Sequence, residues 1–165
     1  MKPLIILENY GANVTLIPTD KRYYTLDERM QIAEEENADL FISIHNNSAA
    51  NGTATGSEAY YFNAWSSPLS VLASDYMSQA LNSNDRGGKY GLYYVTRTMR
   101  YPAVLVEGGF VSTASEYNML VDPYYQQMLG ENLGAAIIDY LVQISSDNYE
   151  YGVESTGINL YDAGR

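Results

Sequence analysis

The sequence predicts an α/β domain built on a mixed, mostly parallel sheet with helices on both faces. Short apolar runs of strand length stand at Leu40–Ile44, Glu58–Phe62 and Ala103–Val106, and segments of helical periodicity lie between them. A chain of 165 residues suffices for one such domain and is short for two.

Taken in order, Pro3 to Tyr10 reads as the closing turns of an amphipathic helix, with Gly11 suited to the left-handed position that follows it. Ala12 to Ile17 alternates enough to be a strand, which Pro18 stops. Thr25 and Glu28 have capping-box spacing, and Leu26, Met30 and Ala33 mark a helical face through Asn37. The acidic run Glu34-Glu35-Glu36 then reads as an exposed helix end. Leu40 to Ile44 has the pattern of a strand buried on both faces, and it ends in His45-Asn46-Asn47-Ser48. A small-residue loop from Ala49 to Gly56 leads to the strand at Glu58 to Phe62, and Ser67-Pro68 opens a helix to about Leu81. Tyr90 to Arg97 and Ala103 to Val106 read as further strands. Tyr125, Met128, Leu129, Leu133, Ala136, Ile137, Tyr140 and Leu141 recur at helical spacing, so a long helix is expected from Pro123 to about Ile144. Periodicity fades after Ser145. Residues 1–145 therefore read as the domain and 146–165 as a polar linker or extension.

Composition removes several classes of function. A net charge of -11 and a pI near 4.3 repel phosphate backbones and anionic lipid, which argues against nucleic-acid binding. Mean hydropathy is -0.25 and no apolar run approaches the roughly 18 residues of a membrane span, so membrane insertion is not expected. The first residues, Met1 to Glu8, are too short an apolar stretch for a signal peptide. With no Cys there is no disulfide, thiolate nucleophile or Cys-ligated metal. His45 is the single histidine, so a two-His metal site cannot be made from this chain alone. A Ser hydrolase using His45 is disfavoured, because no Gly-x-Ser-x-Gly elbow occurs. The 17 Tyr include the pairs Tyr60-Tyr61, Tyr93-Tyr94 and Tyr124-Tyr125, for which core or half-buried packing is expected.

Two residues stand where chemistry is done in α/β sheets, at strand ends. His45 follows an apolar strand and reads either as a metal ligand or acid–base group, or as a histidine merely hydrogen-bonded there. Glu107 follows Ala103-Val104-Leu105-Val106 and precedes Gly108-Gly109, where backbone can approach a ligand closely. A carboxylate there costs free energy unless paired, protonated or near a metal, and the plain alternative is an ion pair with Arg97 or Arg29.

Together the segments say more. Leu26-x-x-Arg29, the run from Asn37 through Ser43-Ile44-His45-Asn46-Asn47-Ser48, Arg86-Gly87, and Tyr101-Pro102-Ala103-Val104-Leu105-Val106-Glu107-Gly108-Gly109-Phe110-Val111-Ser112 closely resemble the zinc-dependent N-acetylmuramoyl-L-alanine amidases of bacterial cell walls. The resemblance runs from about Pro3 to Ile144. It implies a three-layer domain with one zinc ion held by two His and one Glu, and hydrolysis of the amide between N-acetylmuramic acid and L-alanine in peptidoglycan. It further implies His45 as the second histidine ligand and Glu107 as the catalytic glutamate, with Asn47 orienting the site or a substrate carbonyl and Arg86 either meeting a substrate carboxylate or serving as a surface or structural arginine. Action outside the cytoplasm, in the cell wall or secreted, is implied as well. The sequence departs from the family where a first strand, a Gly-His-Gly-Gly ligand motif and a helix-borne Glu would precede Met1, and where Ile17-Pro18-Thr19-Asp20 replaces a Thr-Arg pair. An N-terminally incomplete domain is therefore expected, with self-association through the exposed sheet edge. The alternative is a catalytically dead, fragmentary remnant that binds peptidoglycan without turnover. Ligand arithmetic predicts the 165 residues alone to be free of zinc.

Overall fold

The computed structural model describes residues 4–17 and 22–150, and residues 1–3, 18–21 and 151–165 lie outside the described set. The elements are α1 (Leu4–Asn9), α2 (Leu26–Glu35), β1 (Phe41–Asn47), β2 (Ser57–Tyr61), α3 (Ser67–Leu81), β3 (Asp85–Tyr90), β4 (Ala103–Phe110), α4 (Ala114–Leu120) and α5 (Pro123–Glu150). Short 3₁₀ turns stand at Ala64–Ser66 and Tyr94–Thr96. The four strands lie in the order β1-β4-β2-β3. β1 with β4 and β2 with β3 are parallel, whereas β2 and β4 are antiparallel, so the expected mixed, mostly parallel sheet is present.

Local signals explain most boundaries. Gly11 adopts φ 87° after α1, and the amide of Ala12 closes back on the carbonyl of Leu7. At α2 the amide of Glu28 donates to Thr25 Oγ1 at 3.2 Å while Thr25 N donates to Glu28 Oε2 at 2.8 Å, which completes the capping box. Glu34, Glu35 and Glu36 are exposed at its end, as expected. α3 begins at Ser67-Pro68, where a missing proline N–H costs nothing, and ends on Asn82 in the left-handed conformation.

Helices cover both faces of the sheet. On one, Ala59, Val104 and Val106 pack with Leu69, Ala73, Met77 and Leu81 of α3 and with Leu129, Leu133, Ile137 and Tyr140 of α5. On the other, Phe41, Ala103 and Leu105 pack with Ala33 of α2 and with Val95 and Tyr101. Gly88 is where α3 meets β3 most closely: a Cβ there would overlap Ser70 Oγ and stand 2.9 Å from the amide nitrogen of Val71.

Several expectations fail for identifiable reasons. Ala12 to Ile17 forms no strand; its alternation serves packing, with Ile17 set against the smaller cluster beside Phe41. β1 is not buried on both faces, because it stands at the end of the four-strand order, with Ile44 37% exposed and His45 and Asn46 exposed. Tyr90 to Arg97 is not a strand: β3 lies earlier, over Asp85–Tyr90, and the Tyr-rich stretch becomes a loop and a 3₁₀ turn. Tyr93, Tyr94 and Tyr124 are accordingly exposed, whereas Tyr60, Tyr61 and Tyr125 are half-buried as expected. α4 was not foreseen. α5 continues to Glu150, so the division expected at residue 145 falls within a continuous helix.

Gly88→Ala should destabilise the fold by about 1–3 kcal/mol through overpacking between α3 and β3. Urea unfolding of the two proteins measures it.

Candidate active site

β4 is the most buried strand, and Glu107 is the one of its eight residues that is not fully buried. Its register places it between two neighbours: His45 of β1 pairs with it across the parallel ladder, and Glu58 of β2 across the antiparallel one. Paired residues share a sheet face, so His45, Glu107 and Glu58 form a row across three strands. Lys89 of β3, paired with Tyr60, extends that face.

Glu58 is 3% exposed, a position that requires partners. It has four. Asn47 Nδ2, Tyr60 Oη and Arg86 Nε each donate to it at 2.7 Å, and Lys89 Nζ donates to the same oxygen as Arg86. Burial pushes its pKa up, but the hydrogen bonds from Lys89, Tyr60 and Arg86, with the charge of Lys89, outweigh burial and hold it down to about 2.

Glu107 is in the opposite environment. Its Oε2 is buried without a hydrogen-bond partner among the described residues, and burial first, then the charge of Glu58, pushes its pKa up to about 7. Two carboxyl groups in register are thus driven apart, one locked as an anion and one titrating near neutrality. His45 Nε2 lies 3.0 Å from Ser43 Oγ, and the ring's pKa is lowered by burial and then by the charge of Arg29.

Of the residues singled out from sequence, His45 and Glu107 are brought side by side. Asn47 and Arg86 also reach the site, yet both converge on Glu58, and Asn47 Oδ1 further accepts from the amide of Ser48 at 2.7 Å. Arg86 in addition donates to the carbonyl of Thr55 at 3.3 Å and lies 5.0 Å from the centre of the Phe110 ring. Neither Arg97 nor Arg29 forms the ion pair considered for Glu107 among the described residues. Sequence reasoning missed Glu58 and Lys89 as site residues. The available signal was a carboxylate set directly before the apolar run Ala59 to Phe62, which a strand tolerates only where cations meet it. No group of three His, Asp or Glu side chains among the described residues could hold a metal ion. His45 and Glu107 do not by themselves make a zinc site.

The two shifts fix how stability should depend on pH. Glu58, lowered from 4.5 to about 2, contributes stability above its unfolded value that is lost as pH falls from 4.5 toward 2. Glu107, raised to about 7, has the opposite sign: its contribution is complete below 4.5 and is lost as pH rises through 7. Glu58→Gln should therefore flatten the acid loss and Glu107→Gln the loss toward neutrality, as read from urea unfolding at a series of pH values.

Comparison with known proteins gives the same answer at the level of family. Residues 5–139 match the family described as N-acetylmuramoyl-L-alanine amidase. YqiI of Bacillus subtilis (strain 168) is 36% identical over 141 residues, covering 83% of this chain and 68% of that protein. The N-acetylmuramoyl-L-alanine amidase LytC of the same organism is 31% identical over 134 residues, covering 79% of this chain and 27% of LytC, so the chain spans about a quarter of that relative. The catalytic domain of CwlV, an N-acetylmuramoyl-L-alanine amidase from Bacillus (Paenibacillus) polymyxa var. colistinus, superposes with a TM-score of 0.79 at 32% identity, covering 86% of this chain and 79% of that one. These likenesses favour a hydrolase over a non-catalytic remnant. By sequence and by fold, the chain belongs to the N-acetylmuramoyl-L-alanine amidase family and has the architecture of its catalytic domains.

Proposed function

We propose that this chain hydrolyses the amide between the lactyl group of N-acetylmuramic acid and L-alanine in peptidoglycan, with Glu107 moving the proton. The observation that carries this reading is the partnerless, buried Oε2 of Glu107, on a carboxyl group that titrates at about 7 in register with His45. Amide hydrolysis requires a proton to be taken from water and another delivered to the leaving amine. A carboxyl group half protonated near neutrality does each in turn, whereas one with the pKa of Glu58 is too weak a base to take the proton from water.

The other assignments follow from how the neighbours are engaged. Both polar ends of Asn47 are occupied, which suits orientation of the site more than direct contact with substrate. Arg86 and Lys89 place two positive charges on one carboxylate, and their side chains are 37% and 36% exposed. The surplus positive charge suits a carboxylate of the peptide substrate. His45 is assigned as the imidazole ligand of the family's zinc ion. Such an ion needs further ligands from outside the described residues, and no step above is routed through it.

A peptidoglycan substrate places the activity outside the cytoplasm, in the cell wall or secreted. No helix among the described residues is long and apolar enough to cross a membrane. Self-association, where it occurs, is assigned to the outer edge of β1, the end strand of the described sheet.

Glu107→Gln should lower turnover about 10²–10⁴-fold, the usual worth of a positioned proton-transfer group, with peptidoglycan binding retained. His45→Ala should lower turnover as well. New L-alanine amino termini released from purified walls measure both. Wild-type turnover in Glu107→Gln would remove Glu107 from the chemistry, and wild-type turnover in His45→Ala would leave His45 as a hydrogen-bonded strand end.

A further inference from the structure

Glu116, in the first turn of α4, is 1% exposed and forms no ion pair among the described residues. A carboxylate so placed demands donors, and three segments supply them. Oε1 accepts from the amide of Gly56 at 2.7 Å and from the hydroxyl of Ser83, and Oε2 accepts from the amide of Phe110 at 2.7 Å. Each donor marks the end of a strand that carries one charged member of the site. Gly56 stands two residues before Glu58 on β2, Ser83 three before Arg86 on β3, and Phe110 three after Glu107 on β4.

The surroundings tighten this arrangement. Gly56 holds φ 110°, and a Cβ there would overlap the carbonyl oxygen of Asn84, so the β2 and β3 entries touch through backbone. A Cβ on Gly109 would stand 3.3 Å from Glu116 Oε2. Thr113 Oγ1 donates to the carbonyl of Ala54 at 2.6 Å, and Ser57 Oγ to that of Gly108 at 2.8 Å. Thr113 and Glu116 have capping-box spacing, yet both side chains leave α4 to bind the loop and strand ends. The helix start gives up its own cap to hold the sheet.

We infer that Glu116 is a positioning residue for the amidase reaction, one carboxylate that fixes the ends of β2, β3 and β4 and thereby the spacing of Glu58, Arg86 and Glu107. The inference rests on the proposed function for its catalytic consequence, while the clamp itself is independent of it. Glutamine at this position keeps the shape of the side chain but turns an N–H₂ toward a donor, so one of the three strand ends loses its acceptor.

The test uses Glu116→Gln, Ser83→Ala and the double variant, assayed well below their unfolding midpoints. In Glu116→Gln kcat should fall about ten- to a hundredfold, as expected for misplacement of reacting groups, while KM stays within about twofold. Amide hydrogen exchange at Gly56 or Phe110, whichever then faces the amide nitrogen, should accelerate while the amides of α3 and α5 keep their protection. Ser83→Ala should show a smaller effect, and the double variant should be no slower than Glu116→Gln, because both act through one carboxylate. A lowered midpoint with unchanged kcat would make Glu116 merely structural and overturn the inference. Should Glu116→Gln not fold, Ser83→Ala decides by the same two readings, unchanged kcat and exchange counting against it. Absence of turnover in the wild type would defeat the proposed function instead, and unaltered exchange at Gly56 and Phe110 would then still defeat the clamp.

Discussion

A carboxyl group in the middle of a strand otherwise closed to water is the constraint around which this domain is arranged. Desolvating Glu107 is unfavourable for its anion, and among the described residues no salt-bridge cation or hydrogen-bond donor reaches its buried oxygen. What makes the position tolerable is proton uptake, and with it comes a group that titrates near neutrality. The flanking strands set the rest. Parallel pairing with β1 brings His45 to one side, and antiparallel pairing with β2 brings Glu58 to the other. A one-residue slip of β2 against β4 would carry Glu58 to the other face, and the row would not form.

Glu58 illustrates how differently the same side chain behaves when donors surround it. Four donors, two of them cationic, make it a fixed anion whose field reaches Glu107. Electrostatic preorganisation of this kind requires fixed distances, because a charge that moves with its loop contributes little to its neighbour. The distances are held by short connections at the strand ends, where Gly56, Ser57, Gly108 and Phe110 exchange hydrogen bonds with Glu116, Ser74 and one another. Packing of α3 and α5 on the opposite face keeps the strands themselves in place.

Legibility of the sequence followed the range of the interaction. Elements dictated by neighbours in the chain were readable: the Thr25 capping box, Gly11, the Pro68 helix start and the long period of α5. His45 and Glu107 were readable too, because a polar residue closing an apolar run is a local signal. Elements decided across the fold were not. Ala12 to Ile17 has strand-like alternation but makes no ladder, and Tyr90 to Arg97 has strand-forming residues that the loop after β3 uses instead. Asn47 was readable as orienting the site or a substrate carbonyl and Arg86 as a substrate contact, but nothing local shows that Glu58 stands between them. Glu116 lay hidden for a related reason: its spacing from Thr113 reads as a helix cap, and only the closed fold reveals that its partners are 60, 33 and 6 residues away.

The charge balance completes the argument. A chain of net charge -11 presents, on the site face, two cations sharing one carboxylate beside a group that is neutral over part of the physiological range. The local field therefore opposes the average one. Under the proposed function, a carboxylate arriving at Arg86 and Lys89 would meet an attraction that the average charge does not offer. Glu107 is itself sensitive to the result, because a bound carboxylate near Glu58 adds negative charge and raises its pKa further, whereas stripping the cations from Glu58 would leave two facing anions that the strand pair could not hold without proton uptake. The two cations thus act on Glu107 through a single contact, Glu58.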